Sequence, residues 1–125
     1  MRSSAYSWFV STTTLAGPEK LIRAFAEPTR LRLLALLLEG EICVCDLTGA
    51  LGVPQPTASR HLAHLRRAGW VRVRKDGLWC HYSLAPATGA VHAGLLACLA
   101  QCRAEMPDLE SNQVRCQTAR ANRCC

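Results

Sequence analysis

Leu31, Leu34, Ala35 and Leu38 recur at i, i+3, i+4 and i+7, the spacing that puts four apolar side chains on one face of an α-helix. Pro28 opens this helix at its first turn, where a missing N–H costs nothing, and Gly40 ends it. Before it, residues 19–26 read as a short helix introduced by Gly17-Pro18. After it, residues 43–51 form a second short helical segment closed by Gly52, and Val53-Pro54-Gln55-Pro56 is a turn into a third. In that third segment Ala58, Leu62 and Leu65 fall on one face and Thr57, Arg60, His61 and His64 on another, until Gly69 stops it.

The period then changes from helical to alternating. Trp70-Val71-Arg72-Val73-Arg74 alternates, Lys75-Asp76-Gly77 carries a hairpin turn signal, and residues 79–84 resume in strand-forming types. Helix, short turn, basic amphipathic helix and a two-stranded wing together predict a mainly α chain with a small β-hairpin wing, a winged helix-turn-helix of the α+β class. Pro86 introduces a last helix, in which Val91, Leu95, Leu96 and Leu99, with Cys98 and Cys102, cover more than one narrow stripe. A helix this apolar calls for a partner, which predicts a homodimer through the terminal helices; packing on its own domain is the plain alternative. Met106-Pro107 ends it, because the residue before proline is pushed out of the helical region. Three regions follow: a Ser/Thr-rich flexible arm at 1–17, a DNA-binding and dimerisation domain at 18–106, and a flexible cysteine-containing tail at 107–125. The length suits one domain with a modest core.

Charge sharpens this picture. Of the net +6, an excess of +5 lies in residues 53–82, where Arg60, Arg66, Arg67, Arg72, Arg74 and Lys75 face the single acid Asp76. Such clustering is the footprint of a nucleic-acid binder, against the alternative of a merely solvated cationic surface. Eight cysteines accompany it. Trp8-Phe9-Val10 is too short for a secretory signal core and no stretch is long enough to span a membrane, so a reducing cytoplasm is expected. There, paired cysteines read as metal or redox chemistry before they read as a disulfide framework. Catalytic arrangements of Ser/His/Asp, phosphate-binding glycine loops and paired carboxylates are all missing from the sequence, so neither an enzyme nor an organic cofactor is expected.

Glu41-Ile42-Cys43-Val44-Cys45-Asp46-Leu47, then Ser59-Arg60-His61-Leu62, Leu65-Arg66-Arg67-Ala68-Gly69 and a Gly77-centred wing with Trp79 and Tyr82 strongly resemble the ArsR/SmtB family of metalloregulatory repressors, in particular its arsenic-responsive branch. The likeness covers about residues 19–106. It implies a dimeric winged-helix protein that binds double-stranded operator DNA upstream of resistance genes and lets go when As(III) or Sb(III), the inducer, binds thiolates. The branch often carries a third cysteine three residues beyond the pair, where this chain has Thr48.

A trivalent soft ion with a lone pair is satisfied by three sulfurs in a pyramid, and two are insufficient. Residues i and i+2 on an ideal helix do not face each other, so Cys43 and Cys45 chelate one ion only with local unwinding or a non-helical residue at the helix end. The tail supplies candidates for the third sulfur: Cys124 or Cys125 first, Cys116 behind them, within reach of a flexible linker. Cys98 and Cys102, at i, i+4, read first as packing residues, and Cys80 as a strand residue. His92 stands in the last helix without the acid and histidine pattern through which other family members hold zinc there. For DNA, Gln55, Thr57, Ser59, Arg60 and His61 open the recognition helix, where side chains meet base edges, and Arg72, Arg74 and Lys75 in the wing suit phosphates. Two other functions remain open at this point: a cadmium, lead or zinc sensor of the same family, and a thiol redox or metal-sequestering protein whose basic patch is incidental.

Overall fold

The computed structural model describes residues 17–107 and 109. Helix α1 (Gly17–Phe25) bends into α2 (Pro28–Leu36). Pro28 occupies the first turn of α2, and the capping residue Glu27 accepts the Arg30 N–H at 2.8 Å, satisfying one of the donors a helix start leaves open. Because α1 begins at Gly17, the arm expected at 1–17 gives its last residue to the helix; residues 1–16 lie outside the described residues.

Helix α2 runs into a 3₁₀ turn (Leu37–Glu39) that ends at Gly40, φ 130°. Leu33, Leu34, Ala35, Leu36 and Leu37 are all buried, so α2 is a central rod rather than a one-faced helix. Its neighbours α1, α3 (Val44–Leu51), α4 (Gln55–Ala68) and α5 (Ala90–Ala104) wrap it. The four-residue apolar spacing understated this, since Leu33, Leu36 and Leu37, which lie between the expected positions, are themselves leucines.

Between α2 and α3 lies β1 (Ile42–Cys43), which the sequence did not announce. With β2 (Val71–Asp76) and β3 (Trp79–Leu84) it forms an antiparallel sheet in the order β1-β3-β2. Pairing runs Ile42 to Tyr82 and Cys43 to His81 on one side of β3, and Val73 to Tyr82 and Arg74 to His81 on the other. Cys43, His81 and Arg74 therefore share one row across the wing. Gly77 and Leu78 make the hairpin loop, and Gly77 takes φ 65°, the left-handed conformation such two-residue loops demand and glycine tolerates.

The helix-turn-helix itself is short and tight. Gly52 (φ 68°) caps α3 by donating its N–H to the Thr48 carbonyl at 2.8 Å, and α4 starts at Gln55, inside the turn expected from the sequence, with Pro54 capping it. Ala58, Leu62 and Leu65 are the buried face of α4, as the periodicity requires. Trp70 then leaves the strand pattern for the core: its indole N–H donates to the Leu21 carbonyl at 2.9 Å, its ring stacks on Phe25 at 5.3 Å and meets His92 edge-on at 5.0 Å. One side chain thus joins α1, the foot of the wing and α5.

Helix α5 begins after Gly89, four residues later than Pro86, and ends at Ala104. Leu109 is fully buried in the same core, so the packed unit extends past the 106/107 boundary and takes in the third residue of the tail expected at 107–125. Cys116, Cys124 and Cys125 lie outside the described residues.

Candidate thiolate centre and nucleic-acid interface

Cys43 sits at a junction. It is the last residue of β1 and the N-cap of α3, with extended backbone at φ −71°, ψ 146°, while Cys45 follows within the first helical turn. The obstacle to an i, i+2 chelate on a regular helix is therefore absent: one of the two sulfurs comes off strand geometry. Cys43 is buried and Cys45 half-buried. Cys43 is disulfide-bonded, whereas Cys45, Cys80, Cys98 and Cys102 are free thiols, so an ion can use both sulfurs of the pair only after Cys43 is reduced. Asp46 stands 3% exposed beside them, in the first turn where a carboxylate complements the helix N-terminus.

Thr48 occupies the position of the third cysteine in the resembling branch, and it has another task. Its hydroxyl donates to the Cys45 carbonyl at 2.8 Å, tightening the first turn of α3. Among the described residues no three His, Cys, Asp or Glu side chains are grouped to hold a metal ion. The donor set Cys43 and Cys45 fits a soft ion in chemistry and falls one sulfur short in number.

Cys98 and Cys102 come together on α5 at 4.0 Å between sulfurs. Burial, and then the hydrogen bond and charge of Cys98, push the Cys102 thiol above its ordinary pKa, which works against its use as a thiolate. His92 is a core residue: its Nδ1 accepts the Thr88 N–H at 3.2 Å and its ring lies against Trp70. Cys80 is half-buried in β3.

The residues expected to meet DNA are divided by the structure. Gln55, Ser59 and Arg60 present themselves on the first turns of α4, where the Gln55 amide donates to the Ser59 hydroxyl at 2.9 Å, and Thr57 is half-buried beside them. His61 turns inward. Its Nδ1 lies 3.5 Å from Arg30 and 3.9 Å from Glu27, so it packs against the start of α2 instead of facing a groove. In the wing, Arg72 and Lys75 are exposed, but Arg74 makes a two-pronged ion pair with Glu41 at 2.8 and 3.0 Å. Its guanidinium holds the Glu41 carboxyl below the ordinary carboxylate range. In the sequence Glu41 is only the first residue of the cysteine motif, with nothing to relate it to Arg74; the sheet order β1-β3-β2, with Cys43 and Arg74 both paired to His81, is what brings the two within reach.

A helix-turn-helix with an exposed basic recognition helix, a three-stranded wing and a cysteine pair at their common edge defines a winged-helix regulator with a thiol centre. Residues 27–73 match the family described as "Bacterial regulatory protein, arsR family". The arsenical resistance operon repressor of Escherichia coli K12 is 51% identical over 70 residues, 55% of this chain and 60% of that protein. Among solved structures, HlyU from Vibrio cholerae superposes with a TM-score of 0.57 at 37% identity, covering 66% of this chain and 89% of that one. The homodimeric winged helix-turn-helix domain of Mb0332 from Mycobacterium bovis, a possible ArsR-family regulator, gives 0.60 at 32% identity, covering 77% and 85%. This chain belongs to the arsR family of bacterial regulatory proteins. It spans about 60% of the length of the Escherichia coli repressor.

Proposed function

We propose that this protein is an arsenite- or antimonite-responsive transcriptional repressor, cytoplasmic, that holds double-stranded operator DNA as a homodimer and releases it when the ion takes the thiolates of Cys43 and Cys45. The observation that carries this reading is the position of Cys43, at once the end of the wing's edge strand and the cap of the first motif helix. An ion drawing Cys43 and Cys45 together displaces the start of α3, against which α4 packs, and pulls on the row Cys43, His81, Arg74 that crosses the wing. Both DNA-contacting elements then move together. The likeness to an arsenical repressor supports arsenic or antimony as the inducer, and the family match over residues 27–73 spans the pair. A third sulfur completes the pyramid from Cys124, Cys125 or Cys116.

Fluorescence anisotropy of candidate promoter DNA with the reduced protein, titrated separately with arsenite, antimonite, cadmium and zinc, tests this. Cys43→Ser and Cys45→Ser should each bind the operator within about twofold of the parent and lose release by arsenite, because a thiolate is removed while the recognition surface stays. Arsenite release that survives both substitutions removes the reading. Deleting residues 115–125 should weaken the response, and Thr48→Cys in that truncation should recover part of it; unchanged arsenite affinity and three-sulfur coordination by X-ray absorption after truncation exclude the tail as donor.

A further inference from the structure

A cleft of about 340 Å³ opens between α1 and the C-terminal half of α4, lined among the described residues by Lys20, Arg23, His64, Arg67 and Ala68. None of these carries a carboxylate, and Lys20, Arg23 and Arg67 form no ion pair among the described residues. Among the described residues, positive charge is thus gathered here without an ion-paired counter-charge. His64 registers that environment: burial, then Arg30, Arg67 and His61, lower its pKa. A site that collects like charges around a cavity is stabilised by whatever anion enters it.

The position of the cleft selects the anion. Arg60, His64 and Arg67 follow at i, i+4 and i+7 along α4, so the cleft continues the exposed face that begins at the base-reading end of the recognition helix. A duplex with the first turns of α4 in its major groove carries its sugar-phosphate backbone past the other half of the helix. Lys20 and Arg23, one turn apart on α1, extend the same basic surface off the motif.

We propose that the α1–α4 cleft seats a backbone phosphate of the DNA flanking the bases read by α4, with Lys20, Arg23, His64 and Arg67 as its donors. The inference rests on the operator-binding reading and adds to it a contact that carries no sequence information, made by a helix outside the helix-turn-helix. Free inorganic phosphate shares this chemistry; continuity with the α4 face is what favours DNA.

Two duplexes separate the possibilities, one ending at the last base pair of the operator and one carrying about half a helical turn of unrelated sequence on each side. Binding of the reduced full chain to each is measured against salt concentration. The extended duplex should bind more tightly, with a log–log salt slope steeper by about 1 for each occupied cleft, and changing the flank sequence should leave this gain intact. A Lys20→Gln/Arg23→Gln double variant, altered only at exposed positions, should bind the two duplexes equally. Equal binding of both duplexes by the parent protein overturns the proposal, as does a double variant that keeps the full flank gain. Saturable uptake of inorganic phosphate, detected by phosphorus NMR and lost in the double variant whose DNA binding is unchanged, assigns the cleft to a free anion and overturns it as well. Absence of any operator binding removes the functional reading itself, whereas operator binding without flank dependence removes only the cleft.

Discussion

Glu41 controls what Arg74 can do. The two-pronged pair at 2.8 and 3.0 Å ties up the guanidinium that the wing would otherwise offer to a phosphate, and both partners are exposed enough that little stability is at stake. Glu41→Gln should therefore strengthen operator binding and steepen its salt slope by about 1, the signature of one additional phosphate contact; an unchanged slope would show that Arg74 faces away from DNA. Acid acts in the same direction. Because Arg74 lowers the Glu41 pKa, the pair persists through the ordinary carboxylate range and opens only as the pH falls through the lowered value, so the parent protein at neutral pH retains the closed pair. At this scale the sequence was legible in residue types and blind to their partners. Cys43 and Cys45 stand out by pattern alone, but the tie of Arg74 to Glu41 and the inward turn of His61 come from contacts between residues that periodicity does not relate.

Trp70 shows how the elements are held in register. Its indole bonds to Leu21 of α1, stacks on Phe25 and abuts His92 of α5, while its backbone accepts the Ala85 N–H at the foot of the hairpin. Trp70→Ala should cost about 3–5 kcal/mol, the range for emptying a buried aromatic site, and Trp70→Phe about 1 kcal/mol for the lost hydrogen bond with most of the packing kept. Thermal or urea unfolding measures both; similar losses from the two variants would mean that the hydrogen bond, not the ring, dominates. Helices and hairpin were readable because each has its own period and its own punctuation at Gly40, Gly52, Gly69 and Gly77. Strand β1 was not, since two residues contain no period and exist as a strand only by pairing with β3. The start of α5 was misplaced for a related reason: proline announces a helix only when the chain turns helical directly after it, and here residues 85–88 first carry the chain from the wing to the core.

The whole molecule offers two surfaces of opposite character. One carries the exposed cations of α4 and the wing; the other is the outer side of α5, where Val91, Ala93, Gly94, Ala97 and Cys98 are exposed and no charged residue occurs from position 90 to 102. An uncharged helix face of this kind fits the homodimer proposed here, and a dimer presents two recognition helices to two half-sites. Leu95, one of the apolar positions of this helix, is half-buried against its own core, so a charge there strains the monomer as well as the interface. Val91, 45% exposed, is the cleaner position. Val91→Glu should shift the protein to monomer in sedimentation while its far-ultraviolet circular dichroism and melting stay near those of the parent. Operator affinity should then fall by about 10²–10⁴-fold, the range lost when the second of two linked binding events becomes independent. A folded Val91→Glu protein that remains dimeric, or one that is monomeric yet keeps full operator affinity, would place the paired contact elsewhere than on α5.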